Sequence, residues 1–268
     1  KNLVHNNKIL RFAQDDEVVE PRQCRSKRVA FTLAEVLITL GIIGIVAAMT
    51  IPTLTRAYQK KITETRLEQF YSMMTQAIKL SIADNGQVSE WIERFDRTNP
   101  EQRRALNEKY ILKYLKGVTH CADIPALTEL EGAVREEIIN KCGAVKSSYS
   151  SIYKLQNGSC ITLTPYFSTK SKLYAAVDVN CGEKPNGVKP HDSFGFTLMY
   201  DGRFVPQYYS DDLTREDIIN GTHINADMWG YPEYTFGCTN KSGIFYSKHL
   251  CGALIMLDGW KIKDDYPW

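Results

Sequence analysis

The sequence of 268 residues has little that marks an enzyme. It contains no Gly-x-Ser-x-Gly, no His-Glu-x-x-His and no Gly-rich phosphate loop, so the signatures of a nucleophilic hydrolase, a zinc peptidase and an NTPase are missing. Its five histidines, His5, His120, His191, His223 and His249, lie far apart with no nucleophile motif beside them. No Cys-x-x-Cys pair or Cys/His cluster has zinc spacing, which argues against a zinc ribbon or a dithiol redox centre. The chain is therefore expected to be no enzyme. Internal repeats and low-complexity tracts are also missing. No concentrated basic stretch is visible after residue 66. Residues 1–30 hold seven Lys/Arg against four Asp/Glu, leaving 26 bases and 27 acids in the other 238. A nucleic-acid binder needs a concentrated basic surface, so DNA or RNA is not an expected partner.

What is present is one long apolar run, "FTLAEVLITLGIIGIVAAMTI", over 31–51. At a rise of about 1.5 Å per residue, 21 helical residues cover about 31 Å, the thickness of a bilayer's hydrocarbon layer. Four bases without an acid, Arg22, Arg25, Lys27 and Arg28, precede it. The run is too long for a signal-peptide core, and no small-x-small cleavage site follows it. It continues through Pro52 into an amphipathic pattern, with Leu54, Tyr58, Ile62, Leu67, Phe70, Met74, Ala77, Ile78 and Ile82 at three- and four-residue steps. "DNG" at 84–86 is a helix stop. Pro52 removes the backbone bond to Ala48. Gly41, Gly44, Ala47 and Ala48 permit close helix approach. Arg56, Lys60, Lys61 and Arg66 equal the four bases on the other side, so the positive-inside rule alone leaves orientation open.

The acid inside the run, Glu35, is expensive at membrane depth unless it is protonated or paired. It is tolerable as an acid near a helix start, favoured by the helix dipole. It would also be satisfied by a new α-ammonium at Phe31, best supplied by a neighbouring copy. "FTLAEVLITLGIIGIVAAMTIP" resembles the N-terminal segment of type IV pilins and of type II secretion pseudopilins. The resemblance rests on a basic leader, Phe31, Thr32, Leu33, a Glu at the fifth position and Pro52 at the end of the apolar helix. It covers about 22 residues of the 268. It departs from the family in having Ala30, where Gly is usual, and in a longer leader.

The resemblance implies cleavage between Ala30 and Phe31 by a prepilin peptidase, N-methylation of Phe31, and assembly through Glu35. It also implies residence in a bacterial inner membrane, N-terminus cytoplasmic and C-terminal domain outside, before an assembly platform adds the subunit to a helical filament. The implied partners are copies of this chain or related pilins, the peptidase, the inner-membrane platform and the membrane itself. Two further classes remain: a minor, tip-located adhesin with the same N-terminus, and a signal-anchored exported enzyme.

The domains expected are a leader at 1–30, a long helix at 31–84 with its membrane segment at 31–51, and a globular region at 85–268. Helices are expected over 98–117, starting at Asn99-Pro100, and over 126–141. Hairpins are expected over 151–166 around Asn157-Gly158, over 194–207 around Asp201-Gly202 and over 252–262 around Asp258-Gly259, with a further strand at 172–180. The expected fold class is α+β: a long N-terminal α-helix, transmembrane in its first half, packed on a C-terminal antiparallel β-sheet domain of four or more strands, as in pilins.

Seven cysteines divide into Cys24 in the leader and six beyond it. An even count after leader removal fits a disulfide-bonded exported domain. Of fifteen pairings, the sequential one closes the shortest loops: Cys121–Cys142, Cys160–Cys181 and Cys238–Cys251. Each would contribute about 3 kcal/mol. Asp178, Asn180 and Asp192 offer hard oxygen ligands around a Gly/Pro-rich loop able to hold calcium, although turn formation explains the same residues. Calcium is the one cofactor the sequence suggests.

Overall fold

The computed structural model describes residues 32–92, 94–130, 132–142, 147–166, 168, 170–181, 192–224 and 233–268. The leader, Phe31, Cys24, His5 and His191 lie outside them. The chain divides after Ile51 into two units. One helix, α1 (Leu33–Asn85), supplies the described part of the first unit and opens the second. Gly86, with φ +78°, follows its last residue. This is the left-handed position that the Asp-Asn-Gly stop calls for.

In the second unit the buried residues of α1 are Thr63, Leu67, Phe70, Met74, Ala77, Ile78 and Ser81. Three- and four-residue spacing places them on one face. That face meets a six-stranded antiparallel meander in sequential order: β1 (Val118–Ile124), β2 (Ser150–Leu155), β3 (Cys160–Pro165), β4 (Ser171–Asp178), β5 (Ser193–Met199) and β6 (Phe204–Pro206). Side chains alternate along each strand, so Tyr153, Ile161, Leu163, Leu173, Ala175, Val177, Phe194, Phe196 and Leu198 share the helix's core. The Phe70 ring sits 5.4 Å from Phe196 and 6.1 Å from Phe204. Burial of each such side chain contributes about 1.5–3 kcal/mol.

Shorter helices complete the domain. In α2 (Pro100–Tyr110), Asn99 accepts the backbone N–H groups of Glu101 and Gln102, with Pro100 in the first turn. A 3-10 turn (Leu112–Tyr114) and Gly117 end this region, so the helix is shorter than the expected 98–117. Strand β1 follows, a strand the sequence did not signal. The helix expected over 126–141 is a 3-10 turn (Leu127–Glu129) and then α3 (Gly132–Cys142). Helix α4 (Arg215–Asn220) starts with a capping box between Thr214 and Asp217. It leads into a two-stranded sheet of β7 (Thr222–His223) and β8 (Thr235–Phe236).

The hairpin expected over 252–262 is wrong. This segment forms helix α5 (Cys251–Leu257), and Asp258-Gly259 is its stop. Ala, Leu and Met favour a helix, and Ala253, Leu254 and Ile255 are buried consecutively, as befits a helix covered on most sides. Gly259 and Trp260 both have positive φ, and the Trp260 N–H donates to the Ile255 carbonyl at 2.8 Å.

Three disulfides fasten the domain: Cys121–Cys142, Cys160–Cys181 and Cys238–Cys251, with Cα separations of 5.8, 4.9 and 4.6 Å. This is the sequential pairing. They tie β1 to α3, the start of β3 to the end of β4, and the loop after β8 to α5.

The tail after α5 returns to α1. The Ile262 N–H donates to Glu64 Oε1 at 2.8 Å, and the Trp260 ring lies 5.0 Å from Tyr71. Arg215 bonds both Asp258 and Asp265, and Lys263 reaches Asp258 at 2.6 Å. The hydrogen bonds from Arg215 hold Asp265 below the usual carboxylate range. At Asp258 burial pushes the carboxyl up, but the bonds from Arg215 and Lys263 outweigh it and the net shift is downward. A carboxyl lowered in the fold stabilises it fully above its unfolded value of about 3.9, and that contribution disappears as pH falls through the lowered value. Amide protection over 258–268, taken relative to the intrinsic exchange rate at each pH, should therefore be constant between neutral pH and about pH 5, then fall sharply below about pH 4. Release of the tail near pH 6 would contradict this anchoring.

Candidate functional site

The start of α1 is held by its own side chains. Thr32 is the residue before the helix and Glu35 the third residue in it. Glu35 Oε2 accepts the Thr32 N–H at 2.8 Å and the Thr32 hydroxyl at 2.9 Å, while Thr32 Oγ1 accepts the Glu35 N–H at 3.2 Å. This reciprocal arrangement is a capping box. It satisfies helix-start N–H groups that would otherwise be unpaired in an apolar medium. The signal was present in the sequence as Thr-x-x-Glu and went unread there. Glu35 thus has a local role besides any role toward another chain.

The other polar side chains of the run are likewise turned inward. The Thr39 hydroxyl donates to the Val36 carbonyl, and the Thr50 hydroxyl to the Val46 carbonyl, each at 2.9 Å. The apolar side chains have no cover. Leu33, Leu37, Ile38, Leu40, Ile42, Ile43, Ile45 and Met49 are all exposed, on every side of the helix. Such a surface is unstable in water, at about 1.5–3 kcal/mol for each large side chain. The helix is long and apolar enough to cross a membrane. A Cβ added at Gly41 or Gly44 would meet nothing within 4 Å, so no packing among the described residues requires those glycines.

The remaining sequence candidates lie elsewhere. Ala30 and Phe31 are outside the described residues. All six cysteines beyond the leader are in disulfides. Asp178 and Asp192 are buried near the ends of β4 and β5, and Asp178 Oδ1 accepts the N–H groups of Asn180 and Cys181 at 3.1 and 3.0 Å. That is the turn-forming role, with one carboxylate oxygen committed to the loop. The rest of that loop, 182–191, lies outside the described residues. Among the described residues no group of three or more His, Cys, Asp or Glu could hold a metal ion. His120 Nε2 and the Ser151 hydroxyl both approach the Asp123 carboxylate, at 3.3 and 2.6 Å. Arg104 pairs with the same group, an arrangement that satisfies a carboxylate rather than activating a serine.

Residues 53–268 match the model of a family described as "Family of unknown function (DUF6613)". The chain belongs to this family. The DUF6613 match begins directly after Pro52, so the apolar run and its capping box lie outside it, while the disulfide-bonded domain and the second half of α1 lie within. No curated protein and no solved structure matches the chain.

The capping box of this DUF6613 protein is directly testable. Thr32→Ala should destabilise the helix start by about 1 kcal/mol, seen as faster amide exchange at 33–36 in detergent micelles. Thr32→Ser should restore protection. Equal exchange in all three proteins would show that the box does not form.

Proposed function

We propose that this chain is a structural subunit of a membrane-assembled filament of the type IV pilus or type II secretion kind. In this reading a prepilin peptidase cuts between Ala30 and Phe31, and the apolar helix then leaves the inner membrane to pack against copies of itself or related subunits. The single observation that carries the proposal is the helix face over 33–51: apolar on every side, uncovered, and leading into a folded domain. The open space around Gly41 and Gly44 supports it, because those positions suit close approach by another helix. Three disulfides beyond the span favour an exported domain and a cytoplasmic N-terminus.

Within the capping box only Oε2 of Glu35 is engaged. The second oxygen is left to accept a neighbouring subunit's Phe31 ammonium. Such a pair is costly to break, at about 3–5 kcal/mol when one partner is removed. It would also choose one axial offset among apolar helices that otherwise discriminate poorly between offsets.

Co-expression with a prepilin peptidase should give a product of 238 residues, the 268 less the 30-residue leader, starting at N-methylated Phe31. Ala30→Gly should speed the cut and Ala30→Leu should block it. Intact leader in assembled material, read by mass spectrometry, would rule the proposal out.

The two roles of Glu35 separate by substitution. Gln also serves at the third position of a capping box, so Glu35→Gln keeps the cap and removes the charge, while Glu35→Ala removes both. Loss of filaments in both variants, with leader removal intact, is the expected result. Normal filament yield from Glu35→Gln would reduce Glu35 to a helix cap.

A further inference from the structure

Positive charge on the exported side of a span opposes export. Yet the ten residues after Ile51 hold Arg56, Lys60 and Lys61 and no acid. The fold gathers more charge at the same level. The tail returns across some two hundred residues to place Lys261 Nζ 3.6 Å from Glu64 Oε2, beside Lys61 Nζ at 3.4 Å from the same atom. Glu64 is only 12% exposed there, while Lys61 and Lys261 are 65% and 56% exposed. The carboxylate faces the domain and the ammonium groups face outward. Lys60 Nζ lies 5.9 Å from the Trp268 ring, and Tyr58 and Leu54 are exposed on the same stretch of helix.

We propose that Arg56, Lys60, Lys61 and Lys261 form a collar that binds the phosphate groups of anionic phospholipids on the outer face of the membrane. The proposal rests on reading 33–51 as a span. Arg56 follows Ile51 by five residues, about 8 Å at helical rise and so level with the headgroups. Side chains on a helix tilt toward its N-terminus, which turns Lys60 and Lys61 back toward the bilayer. Their aliphatic stems cover apolar surface while the charged ends reach polar groups. Tyr58 and Trp268 are the aromatic types that favour the same interface. The collar gives the cations a use that offsets their cost to export, and it seats the domain at one height above the lipid before assembly.

The test uses the full chain in lipid nanodiscs made with phosphatidylcholine alone or with added phosphatidylglycerol. Phosphatidylglycerol should slow amide exchange over 52–64 and 258–263 by about fivefold, the effect of one cation held at an anionic surface. High salt should erase the difference. Arg56→Gln with Lys60→Gln, which leaves the Glu64 contacts in place, should reduce it, and adding Lys61→Glu and Lys261→Glu should abolish it. Equal exchange in both lipids with the chain inserted would overturn the collar and leave the span. So would a loss of filaments in the charge variants with an unchanged lipid response, which would assign the patch to an acidic protein surface. Failure to insert into either membrane would overturn the span and the collar together.

Discussion

The structure depends on one strip of helix, the face of α1 that carries Leu67, Phe70, Met74, Ala77 and Ile78. These side chains pack on one face of the meander, where Phe70 lies against Phe196 and Phe204. Without the strip, the inward residues of four strands would face water. Helix α5 lies against the same sheet: a Cβ added at Gly252 would be in ordinary contact with Phe194 and Phe196. The same helix that closes the core is, in its earlier turns, apolar all round. One continuous element is therefore apolar on every side in its first half and one-sided in its second.

The domain is guarded against associating in other ways. A meander has two free edges, and exposed edges invite pairing with further strands. Here β6 is three residues long and ends in Pro206, which has no N–H to offer. At the other edge, β1 is irregular between His120 and Ala122, where Cys121 is tied to α3. Association through the sheet is disfavoured at both ends, and the apolar surface left exposed is that of the first half of α1. Disulfides reinforce the same division, since all three lie in the domain and none in the first half of α1.

Legibility followed the strength of local signals. The long helix was readable because 3.6-residue periodicity ran unbroken to an Asp-Asn-Gly stop, and the two central hairpins because Asn-Gly and Asp-Gly stood between alternating strands. The same Asp-Gly signal misled at 258–259, where it ends a helix: a turn dipeptide does not say which element it terminates, and the Ala-Leu-Ile-Met run before it should have decided. Strand β1, "VTHCADI", was invisible because its burial alternates poorly and its place is set by pairing with β2 and by a disulfide, both remote in sequence. At the candidate site, Glu35 stood out for its cost and Thr32 only as part of the family resemblance, while the cap that joins them had no reading from the sequence. The contact of Glu64 with Ile262 could not be read at all, since no local pattern links residues 198 apart.

That last contact has a consequence for the order of folding. A chain is made from its N-terminus, and α1 precedes every other element of this domain. Its turn at Glu64 is complete only when the Ile262 amide arrives, after the whole meander, both small strands and α5. The sheet can form between strands that are neighbours in sequence, one after another. The closing contact is different: it joins the two ends of the domain into a ring and comes last. Closure of that ring joins the tail to the helix that opens the domain.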